Sequence, residues 1–355
     1  MAKARLAGIS FFERNLTLWV VLCMAAGVLI GKFLPALPAA LARLEYASVS
    51  VPIAILIWLM IYPMMMKVDF ASIKNVGKNP RGLYLTWVVN WLIKPFTMFA
   101  IAAFFFFVVF KALIPVDLAR AYLAGAVLLG AAPCTAMVFV WSHLTRGNPA
   151  YTVVQVATND LIILVAFTPI VALLLGVGGL SIPWNTLFLS VFLFVVIPLA
   201  GGIMTRNVVI KHQGEAYFNN SFLPRFNNVT IGGLLLTLVL IFSFQGDVIL
   251  ANPLHILLIA VPLIIQTLLI FFIAYLISRK IKLPHDVAAP AGMIGASNFF
   301  ELAVAVAITL FGAGSPAVLA TIVGVLVEVP VMLFLVKVAN RTACWFPGCQ
   351  ARRTR

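Results

Sequence analysis

Residues 131–137 read AAPCTAM, and they interrupt an apolar stretch that otherwise runs from 121 to 144. Proline has no backbone N–H and its ring clashes with the preceding turn, so Pro133 breaks a helix. Cys134 puts a soft thiol at that break. A later apolar run, 286–311, carries Pro290, Gly292 and Gly295 just before Ser297, Asn298 and Glu301, a second set of helix breakers beside an unusual side chain. An ordinary proline kink with a small cysteine filling space is the alternative for the first. Its recurrence in the second half of the chain favours a built site.

The chain has 355 residues, of which 63% are hydrophobic and 10% charged, with a mean hydropathy of +1.12. A soluble domain of this length cannot hide that much apolar surface. Runs of membrane-spanning length recur throughout, which predicts a polytopic helical membrane protein. The expected spans are 16–34, 48–66, 83–110, 121–144, 150–175, 185–205, 228–246, 254–278, 286–311 and 317–338. Lys3, Arg5 and Arg14 before the first run imitate a secretory signal. That run is as long as a full span, so it is read as the first transmembrane helix.

The net charge of +14 would suggest nucleic acid in a soluble protein. Here the basic residues fall in short loops, so orientation explains them and no nucleic-acid partner is expected. Numbering the spans alternately puts Lys3, Arg5, Arg14, Lys67, Lys74, Lys78, Arg81, Arg146, Arg206, Lys211, Arg225, Arg279, Lys280, Lys282, Lys337, Arg341, Arg352, Arg353 and Arg355 on one side. Lys32, Arg43, Lys111 and Arg120 fall on the other. The bias predicts both termini in the cytoplasm of a plasma-membrane (cell inner membrane) protein. Residues 211–226 are short, mixed and aromatic, and are expected to lie along the cytoplasmic interface. Gly27 and Gly31 form a GxxxG pattern, which predicts close helix packing.

A shift of 167 residues places Pro149 on Pro316, Gly147 on Gly314 and Cys134 on Glu301. Five spans per repeat is an odd number, so the second repeat inserts the opposite way up. The expected fold class is therefore all-α, with ten transmembrane helices as two inverted five-helix repeats and discontinuous helices at spans four and nine. Residues 1–205 hold the first repeat plus span six. Residues 206–355 hold the rest of the second repeat and a basic tail, the whole forming one integral membrane transporter unit. Gly130 and Pro133 are the expected helix-breaking residues in span four, and Pro290, Gly292 and Gly295 in span nine. Irregular backbone survives at membrane depth only where it lines a cavity or is buried in protein.

Asp160, Glu301 and Glu328 lie inside spans. An ionisable group at a helix centre costs at least ~2.5 kcal/mol on insertion scales, so each is a candidate for function. Glu301 is expected to exchange protons, with Glu328 and Asp160 as further proton-coupling candidates. Glu328 has no polar neighbour in sequence. Asp160 follows Thr158 and Asn159, which offer it hydrogen bonds. Asn298, Ser297 and Asn159 supply polar support, and Trp141 lies two helical turns from Cys134. Lys94, in NWLIKPF, is read as snorkelling to an interface, with an internal counter-ion as the alternative. His143 is read as interfacial. Cys344 and Cys349 flank WFPG and make an incomplete metal site, so no metal or cofactor is expected.

The motifs APCTAMVFVW, NDLI, GASNFFELAVAVAI and GVLVEVPVML resemble those of the arsenite permeases of the arsenical-resistance efflux family, within the bile-acid/arsenite/riboflavin transporter superfamily. The resemblance covers nearly all ten spans. It implies a panel domain and a core domain with crossing discontinuous helices. It also implies export of arsenite, with antimonite as a second metalloid, in exchange for protons. Cys134, Glu301 and Glu328 would then be essential, with Asn159 and Trp141 tied to transport and Asn298 beside the substrate. Many members carry a basic residue immediately before the motif cysteine. Pro133 stands there in this chain, so no anion-pairing role attaches to that position.

The rival on the same fold is a sodium-coupled symporter for a bile-acid-like organic anion, using Asn159, Asp160, Gln266, Asn298 and Glu301 as oxygen ligands. An enzyme is not expected. No HExxH or GxSxG motif occurs, and His143, His212, His255 and His285 do not pair at ligand spacing.

Overall fold

The computed structural model describes residues 16–46, 49–68, 80–135, 137–180, 182–251 and 253–347. It is almost wholly helical: α1 (Leu16–Phe33), α2 (Val51–Met66), α3 (Pro80–Val109), α4 (Val116–Gly130), α5 (Met137–Leu144), α6 (Pro149–Val177), α7 (Trp184–Val191), α8 (Ile197–Tyr217), α9 (Asn227–Phe244), α10 (Pro253–Lys280), α11 (His285–Ala296), α12 (Phe300–Phe311) and α13 (Pro316–Arg341). The one sheet among the described residues is a pair of two-residue strands before α2. Several helices, including α3, α6, α10 and α13, are long and apolar enough to cross a membrane. The chain is a multi-pass membrane protein.

Two groups of helices pack as bundles. In the first, α9 lies against α1 and α2, and α2 against α8. The α1–α9 contact depends on glycine: a Cβ at Gly27 would sit 2.5 Å from the Val239 carbonyl oxygen, and one at Gly31 2.5 Å from that of Ser243. The second group holds α3 to α6 and α10 to α13, with α13 against α4 and α10 against α11. Gly125 lets α4 approach α13 backbone to backbone, since its Cβ would fall 2.1 Å from the Ala317 carbonyl oxygen.

Four helices of the second group stop inside it. α4 ends at Gly130 because Pro133 cannot continue it, and α5 begins at Met137. α11 ends at Ala296, and α12 begins at Phe300. Each pair is followed by a long helix starting at a proline. The first of these is capped by the Asn148 side chain, the second by that of Ser315.

Three expectations need correction. Pro290, Gly292 and Gly295 do not interrupt span nine, because α11 runs through all three and the break comes at residues 297–299. The glycines serve packing: a Cβ at Gly292 would meet the Phe271 ring at 3.0 Å, and one at Gly295 would meet Ile270 at 3.1 Å. Pro290 fills the space left by Gly147, whose Cβ would lie 2.2 Å from its ring. Second, the helix that carries span six does not end near 205. The helix continues until Gly214, where φ of 83° and ψ of 160°, in a region essentially restricted to glycine, kink the chain. Phe218 then stacks on Phe222, whose ring meets that of Phe226 at a tilt. Third, Lys94 does not reach an interface.

Candidate functional site

The two interrupted spans cross at their breaks. Pro133 and Asn298 form an isolated antiparallel β-bridge. The Cys134 N–H donates to the Ser297 carbonyl at 3.3 Å, and the Phe299 N–H to the Ala132 carbonyl at 3.1 Å. Backbone groups freed by one break are thus satisfied by the other, which is what unwound backbone requires where water is absent. The first turns of α5 and α12 both start from this crossing. Their N-terminal ends carry partial positive charge, and Glu301 lies in the first turn of α12, where a carboxylate is favoured.

Cys134 is not disulfide-bonded, and it is 2% exposed. Glu301 is 9% exposed and Glu328 8%. Ser297 at the break donates its hydroxyl to Glu328 Oε1, and the Asn298 backbone lies close enough to favour the same carboxylate. Glu301 lies within charge-interaction range of Glu328. Glu328, without a polar neighbour in sequence, thus has polar neighbours in space. Its sequence neighbours are apolar, but α13 aims it across the bundle at the break between α11 and α12.

Lys94 is 1% exposed, and its Nζ donates to the Ser297 carbonyl at 2.6 Å. Local sequence explains why it points inward. Residues Val89–Ile93 form a π-helical turn, and Pro95 follows directly. Pro95 has no N–H for a regular turn, so the helix widens by a residue and the Lys94 N–H bonds to the Val89 carbonyl. Gln266 of α10 donates to the Lys94 carbonyl at 2.9 Å and to Thr97 Oγ1 at 3.0 Å. Gln266, a sodium ligand in the rival reading, thus braces this turn.

The same π turn turns Asn90 and Trp91 toward α6. Trp91 Nε1 donates to Asn159 Oδ1 at 3.2 Å, and Asn90 Nδ2 reaches the same oxygen at 3.5 Å. Sequence reasoning missed Asn90 and Trp91. The available signal was a proline one residue after a lysine in an otherwise apolar span.

Asp160 is 0% exposed, and neither carboxylate oxygen has a hydrogen-bond partner among the described residues. The expected neighbours do not serve it. Thr158 donates to the Val154 carbonyl and accepts from Trp87, while Asn159 accepts from Trp91. Trp141 is buried on α5, and its Nε1 is likewise without a partner among those residues. So are Thr135 Oγ1, Asn298 Oδ1, Asn90 Oδ1 and Asn159 Nδ2. Asn298 is one of the bridged pair and Thr135 lies two residues beyond the other, so donor and acceptor capacity remains next to Cys134. His143 is exposed. Cys344 is disulfide-bonded, and Cys349 lies outside the described residues.

Known proteins share this chain's sequence across its length. Residues 54–252 match the family described as the sodium bile acid symporter family. The chain is 68% identical over 340 residues to the arsenical-resistance protein Acr3 of Alkaliphilus metalliredigens, covering 96% of this chain and 95% of that one. It is 48% identical over 356 residues to an uncharacterized transporter of Synechocystis, covering 97% and 93%. It is 33% identical over 343 residues to the arsenical-resistance protein Acr3 of Corynebacterium glutamicum, covering 94% and 90%. A buried thiol at a crossing of broken helices, in a chain with these relatives, is part of a transporter and not of an enzyme. The chain belongs to the sodium bile acid symporter family, among its arsenical-resistance Acr3 members.

Proposed function

We propose that this transporter exports arsenite across the plasma membrane in exchange for protons, by alternating access around the crossing. The observation that carries the reading is the buried Cys134 thiol at the Pro133–Asn298 bridge, with Glu301 and Glu328 beside it. Trivalent arsenic is thiophilic, and arsenous acid is uncharged at neutral pH. One thiol binds it reversibly: an As–S bond forms, an As–O bond breaks, and the thiol proton leaves with the hydroxyl as water. Release reverses the exchange. The unpartnered polar atoms of Thr135 and Asn298 suit the remaining arsenic hydroxyls, which both donate and accept.

The burial of these groups supports a site that opens to one side at a time. In the finer reading, ten spans form two inverted repeats, residues 1–205 holding the first repeat plus span six, and both termini are cytoplasmic. The paired breaks, each followed by a proline-led helix, and the distribution of basic residues support it. Glu301 is the proposed proton carrier, with Glu328 and Asp160 as further members of the coupling path. Asn159 and Trp141 shape the cavity.

Arsenite accumulation in everted vesicles under an imposed pH gradient tests this. Accumulation driven by acid inside, without sodium, supports it. Accumulation that follows a sodium gradient and ignores pH favours the sodium-coupled reading that the family description carries.

A further inference from the structure

Lys94 is the one lysine or arginine that is buried among the described residues. Its backbone is pinned on two sides, by the π turn Val89–Ile93 and by Gln266 from α10. Such bracing fixes an otherwise flexible side chain at one place. Its ammonium meets the Ser297 carbonyl at 2.6 Å, the same oxygen that the Cys134 N–H reaches from the other broken span. Ser297 caps the C-terminal end of α11, where the helix dipole favours a cation. The charged and titratable groups facing the ammonium are Glu328 and Cys134, with Glu301 in turn facing Glu328.

A backbone carbonyl at an unwound helix end, with a carboxylate in range, is the donor set by which carriers of this general build hold a dehydrated monovalent cation. An ammonium taken out of water without such partners carries a penalty of several kcal/mol. In this chain the cation is covalently attached. We propose that Lys94 is a resident cation, occupying the place between the Ser297 carbonyl and the Glu328 carboxylate that a mobile alkali cation would otherwise fill. Arsenite transport by the native chain therefore needs neither sodium nor potassium, and removing the ammonium opens a latent alkali-cation site. The inference deepens the proposed function by assigning the cation requirement of the same site.

The test is thermal unfolding of purified full-length protein, without arsenite, in choline, lithium, sodium or potassium chloride at constant ionic strength. The native midpoint should be the same in all four salts. Lys94→Met should show a saturable rise of a few degrees with at least one alkali cation. Lys94→Arg should not respond, because a cation remains. Lys94→Met/Glu328→Gln should not respond, because the carboxylate is gone. If Lys94→Met is not recovered folded, Lys94→Gln replaces it with the same expectation. A native midpoint that rises with sodium or potassium, or a neutral variant indifferent to every alkali cation, would overturn the assignment. Native arsenite flux that requires sodium or potassium would overturn it as well. The unfolding arms use no arsenite, so they stand even if the substrate reading fails.

Discussion

Ser297 is bonded through both its backbone and its side chain: its carbonyl accepts from Lys94 Nζ, and its hydroxyl donates to Glu328. One residue at a helix break thereby links a cation on α3 to an acid on α13. Ser297→Ala removes the hydroxyl and leaves Glu328 with one hydrogen bond fewer in a buried setting. A hydrogen bond to a charged group contributes ~1.5–3 kcal/mol, so the variant should unfold at a lower temperature by that equivalent. Ser297→Thr retains the hydroxyl and should keep most of the stability. Equal midpoints for the alanine variant and the native protein would mean that the bond contributes nothing.

Cys134→Ser preserves shape but replaces a soft sulfur ligand with a hard oxygen. Arsenite accumulation should fall by about tenfold or more, equivalent to at least ~1.4 kcal/mol of substrate interaction, at an unchanged amount of protein in the membrane. Cys23→Ser, in the α1 bundle, and Cys344→Ser, beyond α13, should leave flux intact. Undiminished transport by Cys134→Ser would reduce the cysteine to a packing residue.

Glu301→Gln keeps the side-chain shape and hydrogen-bonding capacity but exchanges no proton. Arsenite should still bind at Cys134, while accumulation driven by a pH gradient should fail. Glu301→Asp should retain part of the gradient-driven flux. A separate binding measurement distinguishes loss of coupling from loss of the site. Full pH-driven accumulation by Glu301→Gln would move the proton path to Glu328 or Asp160.

Gly27→Ala and Gly31→Ala each force a methyl against a carbonyl of α9 at 2.5 Å. Overpacking of this kind destabilises by ~1–3 kcal/mol, read as an earlier loss of the monodisperse peak on heating. Gly232→Ala, whose Cβ would meet nothing within 4 Å, is the matched control. Equal behaviour of all three would show that α1 and α9 do not depend on close approach.

Topology is tested by single cysteines in a background that lacks the other labelled thiols. His212→Cys, on an exposed stretch near the end of α8, should resist an impermeant reagent added to intact cells. Trp184→Cys, exposed at the start of α7, should react. The opposite pattern would invert the orientation drawn from the basic residues.

The long apolar helices were legible in sequence because their cause is local. Apolar runs of membrane length must become helices, since no water is present to satisfy the backbone. The break at Pro133 was legible for the same reason, as a missing N–H acts within one turn. So was the packing use of Gly27 and Gly31. Local signals misplaced the second break: Pro290, Gly292 and Gly295 look like helix breakers, yet Phe271, Ile270 and Gly147 offer them packing partners from other helices. Lys94 shows the limit most clearly. A lysine near an apolar run can reach an interface or turn inward, and the choice depends on Pro95, the π turn and Gln266, the last 172 residues away. Glu328 was likewise recognised as a buried acid from its own span, but its partners Ser297 and Asn298 belong to another. The sequence by itself determined which segments are helices and where unusual side chains lie along them. Only the tertiary structure decided which of those side chains meet, because burial of a charge is settled by the groups that neighbouring helices bring to it.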